Sequence, residues 1–184
     1  MTPASRTRAF IAIVLMPFIA LSISGCAEVE GAAPRCDEAR RLAVVAQSVP
    51  GAAYIPCLRD LRPGWSASDF DPQSGGTHFS LVSDRDPDHE IAIEFRAACD
   101  VAGATATTPR ADGARTYLQL RSISPRYAGT LMDVFSGGCV SYRFDFARGP
   151  HIGLIDDFEN QVGLLARREL ALTLRTSYDV ELGP

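Results

Sequence analysis

Cysteine is the residue type that offers this chain the most chemistry. It stands at positions 26, 36, 57, 99 and 139, and a thiol can bridge, bind a metal or attack an electrophile. Between Cys36, Cys57, Cys99 and Cys139 lie 20, 41 and 39 residues, with no C-x-x-C pair among them. That spacing speaks against zinc. Four cysteines in an oxidising compartment read instead as a disulfide framework with three possible connectivities. The favoured one is Cys36–Cys57, tying a first helix to a long loop, with Cys99–Cys139 joining the ends of two strands. Cys139 also follows Gly137-Gly138, and His151 is a conceivable base for it, which would suit a small envelope hydrolase. An exported cysteine is more often oxidised, however, and no G-x-S-x-G elbow offers a serine in its place.

The other chemically capable residues are sparse. His78, His89 and His151 are far apart, and none stands in an H-E-x-x-H frame. Acids at 84, 86, 88 and 90 invite a calcium reading. The loop rule fails, though: His89 occupies the sixth position, where glycine is required, and Phe95 the twelfth, where a bidentate glutamate belongs. A polar Asp-Pro turn between two strands explains the same residues. Trp65, the only tryptophan, follows Pro63-Gly64 in the long loop. It is a candidate ligand contact, although folding back as a loop anchor is the favoured role. No metal site and no cofactor is expected.

Position 26 is different. Residues 1–8 carry Arg6 and Arg8 and no acid, and Ala9–Leu21 is a run of thirteen residues without charge. This is the order of a secretory signal. Thirteen residues of helix cover about 20 Å, short of the roughly 30 Å hydrocarbon core, and Pro17 interrupts them. The run ends in Ile23-Ser24-Gly25-Cys26, which resembles the lipobox of bacterial lipoproteins, in which the cysteine is lipidated and becomes the first residue. With arginine as the sole basic residue and no lysine, the chain is similar to lipoproteins of actinobacteria. The resemblance implies removal of residues 1–25, a lipid on Cys26 and a place on the outer face of the cell membrane. It also leaves an even number of cysteines for bridging. Residues 26–35 then read as a short tether, reaching roughly 30 Å, and 36–184 as a single domain.

The elements that must hold these residues follow from periodicity. A helix is expected from Asp37 to about Gln47, stopped by Pro50-Gly51, and a long loop over 51–76. Strands are expected at 77–82, 90–96, 116–121, 130–135 and 140–146, the last alternating Val140, Tyr142, Phe144 and Phe146 against polar residues. Residues 100–114 read as loop. Helical spacing runs from Asp156 through Phe158, Val162, Leu165, Leu170 and Leu174, with a break at Gly163, and a short edge strand is expected at Asp179–Leu182. The fold class is α+β: an antiparallel sheet of about five strands with N- and C-terminal helices on one face, stapled by disulfides.

Function is bounded more by exclusion. Apolar residues at 46% and charged residues at 22% support a packed core. Net charge is −4, and loss of residues 1–25 leaves 16 arginines against 22 acids, or −6. An acidic domain with scattered arginines repels phosphate backbones, so nucleic acid is not an expected partner. The first expectation is a membrane-anchored, non-enzymatic interaction domain that contacts another envelope protein. The second is a small-ligand binder with a pocket between the sheet and the C-terminal helix, closed by the Trp65 loop.

Overall fold

The computed structural model describes residues 33–146 and 152–183. Residues 1–25, Cys26, most of the 26–35 tether and His151 lie outside the described residues. Three helices occur: α1 (Ala39–Ser48), α2 (Ile152–Gln161) and α3 (Arg167–Tyr178). The strands are β1 (Tyr54–Leu58), β2 (Trp65–Gln73), β3 (Gly76–Ser83), β4 (Asp86–Arg96) and β5 (Thr105–Thr107). They continue with β6 (Arg115–Ser122), β7 (Tyr127–Phe135), β8 (Gly138–Phe146) and β9 (Val162–Ala166).

Seven strands form one antiparallel sheet in the order β2-β3-β4-β8-β7-β6-β5. Strict alternation builds its apolar face. Phe79 and Leu81 of β3 stand opposite Ile93 and Ile91 of β4, and Ile93 and Phe95 stand opposite Tyr142 and Val140 of β8. All of these side chains are buried. The intervening positions, such as Glu94, Arg96 and Arg143, make the other face polar. α1 packs on β2 and β3, and α2, α3 and a two-stranded ribbon of β1 and β9 add Phe158, Leu170, Leu174, Ile55 and Val162 to the same buried core. Phe158 of α2 lies 5.5 Å, centroid to centroid, from Tyr142, and the Ser48 hydroxyl at the end of α1 hydrogen-bonds Thr77 at 2.8 Å. Leu170 and Leu174 turn the buried stripe of α3 inward, beside α1.

The α+β class and the antiparallel sheet are present, with corrections to the details. The sheet has seven strands, not about five, because the region read as loop carries more structure. Within 51–76 lie β1 and β2. The former is a buried apolar run without alternation, and the latter a half-exposed edge whose ladder is interrupted between Ser68 and Asp71. Thr105–Thr107 adds a three-residue edge where loop was expected. The stretch from Val162 is a strand, not helix, and Asp179–Leu182 forms no strand. Gly163 explains the first of these. It stands opposite Cys57 in the β1–β9 ladder, and a Cβ there would lie 2.9 Å from the sulfur of Cys36 and 3.3 Å from that of Cys57. Glycine makes room for a disulfide and does not break a helix.

Both bridges are present: Cys36–Cys57 and Cys99–Cys139, closing stretches of 21 and 40 residues. By loop-closure entropy each contributes roughly 3–4 kcal/mol. The folded unit also begins before Cys36. Ala33 and Pro34 are buried, Leu58 donates its N–H to the Pro34 carbonyl at 2.9 Å, and Arg35 pairs with Leu58 in parallel register.

Candidate functional site

A broad groove lies at the head of α3. It is assembled from five separate segments. Ala53 and Tyr54 lead into β1, Phe135 and Ser136 form the β7–β8 turn, Asp112 and Gly113 precede β6, and Ala166 to Ala171 carry the chain from β9 into α3. Leu182 and Gly183 of the C-terminal tail close one side. Its cavity volume is about 810 Å³, and its walls are mainly apolar. Sites for small molecules typically enclose about 300–1,000 Å³.

Backbone bonds hold the segments in register. Ala53 donates to the Ser136 carbonyl and Arg167 to the Ala53 carbonyl, both at 2.9 Å. The β7–β8 turn has a glycine where nothing else fits. Gly137 has φ of 70°, and a Cβ on it would stand 1.8 Å from the carbonyl oxygen of Gly51. That contact lets the chain after α1 run against the turn. Inside the groove the rings of Tyr54 and Phe135 meet edge to face at 5.4 Å, and the Tyr54 hydroxyl donates to the Asp112 carbonyl.

Two guanidinium groups line these apolar walls. Arg167 donates to the Ala46 and Val49 carbonyls at 2.9 and 3.5 Å, and to the Gly183 carbonyl at 2.9 Å. It therefore clips the end of α1 to the tail. No carboxylate pairs with it among the described residues, and burial lowers its pKa. Arg168 is exposed and has neither hydrogen bond nor ion pair among the described residues. The N-cap position of α3 is Ala166, which offers no side-chain cap to the first turn.

A second polar cluster is buried in the sheet. Asp133 has no solvent exposure and accepts three hydrogen bonds, from Thr116 at 2.7 Å, Arg110 at 2.8 Å and Tyr142 at 3.0 Å. Arg110 also donates to the carbonyls of Glu159 and Val162 at 2.7 and 3.0 Å, and its guanidinium lies 5.0 Å from the Tyr142 ring centroid. Burial pushes the pKa of the Tyr142 hydroxyl up, Arg110 opposes the rise and Asp133 adds to it. Burial acts to lower that of Arg110, but Tyr142, Asp133 and Glu159 outweigh it and leave it raised. Arg59, Glu159 and Asn160 border a shallow cleft over this cluster. The Arg110 and Asp133 groups are turned inward on protein partners, so the arrangement is a clasp between a loop, α2 and the sheet.

The residues singled out from sequence are scattered. Trp65 opens β2 opposite Ser83, half-buried against the core, and does not line the groove. His78 borders a shallow polar hollow with Asp71, Glu94 and Arg96, and His89 meets Asp86 at 2.8 Å beside the β3–β4 turn. Cys139 is bonded to Cys99, which removes it as a nucleophile. Among the described residues, no three His, Cys, Asp or Glu side chains are grouped to hold a metal ion. Sequence reasoning missed Tyr54, Phe135, Arg167 and Arg168 of the groove, whose segments share no pattern. It also missed Asp133, although a carboxylate between Leu131 and Phe135 on the apolar side of a strand is a readable signal. Comparison of the chain with protein-family models, curated proteins and solved structures finds no match.

Proposed function

We propose that the chain is a non-enzymatic binding domain of the bacterial cell envelope, held on the outer face of the cell membrane by a lipid on Cys26. The groove at the head of α3 is its contact surface. That groove carries the reading: it is an apolar concavity of about 810 Å³ framed by backbone-paired segments. Two disulfides fit an oxidising compartment outside the cytoplasm. A ligand, not a catalytic turnover, suits walls in which Tyr54 and Arg167 already spend their polar groups on carbonyls.

Two measurements test this. The full chain produced in a bacterial host partitions with membranes, and Cys26→Ser abolishes acylation and that partitioning. Unchanged membrane association would sink the anchor. Native mass spectrometry of the chain released from membranes then shows a bound mass that Ala171→Trp, which fills the groove, removes. A chain that carries no ligand in either form defeats the binding role.

A further inference from the structure

We infer that the groove takes a single-chain anionic amphiphile of the long-chain carboxylate class. The hydrocarbon lies along Ala53, Tyr54, Phe135, Ala171 and Leu182, and the carboxylate is held by Arg168. The inference deepens the binding reading above and rests on it.

Three observations converge on this ligand. The walls are apolar and the groove is open along one side, which admits a linear chain more readily than a compact polar molecule. A second depression of about 330 Å³ shares Ala171 and Leu182 with it and continues past Leu172, which is 62% exposed, to the Arg175–Glu181 ion pair on the outer side of α3. The apolar side chains Ala171, Leu172 and Leu182 therefore extend the concave surface beyond the groove as far as that ion pair. Removing such a chain from water is favourable in proportion to the area it loses.

Charge decides the head group. The protein is acidic overall, at −4, yet this groove is lined by two guanidiniums against the single carboxylate of Asp112. Arg167 is half-buried without a carboxylate partner, and its donors are occupied by carbonyls. It adds field, not contact. Arg168 makes no hydrogen bond or ion pair among the described residues and has its fork free for a carboxylate. An uncharged head group cannot make the charge-assisted pair with Arg168 that a carboxylate makes.

Membranes bearing the full chain, incubated with a photoactivatable long-chain fatty acid and irradiated, test the assignment by peptide mapping. The expected label falls on peptides containing Tyr54, Phe135 or Ala171. The methyl ester of the same probe labels them roughly tenfold less, and so does the acid with Arg168→Glu, an exposed position where folding is not at stake. Ala171→Trp removes the label altogether. Equal labelling by acid and ester, or no effect of Arg168→Glu, overturns the anionic assignment while leaving a binding groove in place. Label confined to exposed apolar side chains outside the groove, such as Ile123, or a groove that no probe labels, overturns the ligand class as a whole. Acylation of Cys26 is read separately, on its own peptide, so the anchor and the groove fail independently.

Discussion

Arg110 places a guanidinium nitrogen 2.8 Å from Asp133, a carboxylate with no solvent exposure, and from there also reaches the carbonyls of Glu159 and Val162. One side chain thus joins the loop before β6, the end of α2, the start of β9 and the sheet.

Removing one partner of this pair leaves an uncompensated charge. Asp133→Leu is expected to lower stability by about 3–5 kcal/mol, whereas the double variant Arg110→Met with Asp133→Leu recovers most of the loss. Urea unfolding of the disulfide-intact protein measures both. Additive losses would show that the two residues act independently.

Glu159 sits at the rim of the same clasp, and its pKa is raised, first by burial, with Arg110 opposing and the Asp133 and Asp156 carboxylates adding. The folded state therefore holds this proton more tightly than the unfolded state. Its contribution favours folding below the ordinary glutamate range and is lost as pH rises through the raised value. Glu159→Gln should be more stable than the parent at neutral pH, and the difference should shrink toward zero in acid. A constant difference across pH would contradict the sign.

Gly137 and Gly75 both have positive φ, at 70° and 90°, but only Gly137 has a backbone carbonyl where a Cβ would go. Gly75→Ala is expected to cost about 1 kcal/mol, the left-handed backbone penalty alone. Gly137→Ala should cost visibly more and disturb the groove, because the Gly51 carbonyl must move. Thermal unfolding of the pair compares them directly, and equal costs would remove the close approach from the explanation.

Trp65 is packed against the core at the start of β2 and is not a groove residue. Trp65→Ala is expected to lose about 1–2 kcal/mol of stability through the exposed core surface, with groove labelling unchanged. Loss of ligand with stability intact would restore it as a contact.

The legible parts of the fold were those with one clean period. β4 and β8 alternate apolar and polar residues because one face is buried and the other wet. β1 does not alternate because four of its five residues are buried, and β9 is a five-residue run whose burial fades from Val162 to Ala166 without period. The spacing Phe158, Val162, Leu165 also imitates a helix although the chain changes state at Gln161. The polar edge strand β2 resembled loop for the opposite reason: so little of it is buried. The groove was illegible in principle, since no single segment contributes enough of it to carry a signature. Asp133, a carboxylate in register with the buried Leu131 and Phe135, does carry a sequence signal.

The pairing of residues 33–36 with β1 has a mechanical consequence. A pull on the chain ahead of Ala33 is delivered to two places at once, along the backbone to Asp37 and through sulfur to Cys57. The Leu58 hydrogen bonds with Pro34 and Cys36 share that load. Tension from the N-terminal side therefore enters at β1, inside the ribbon, and cannot peel α1 away as the first step.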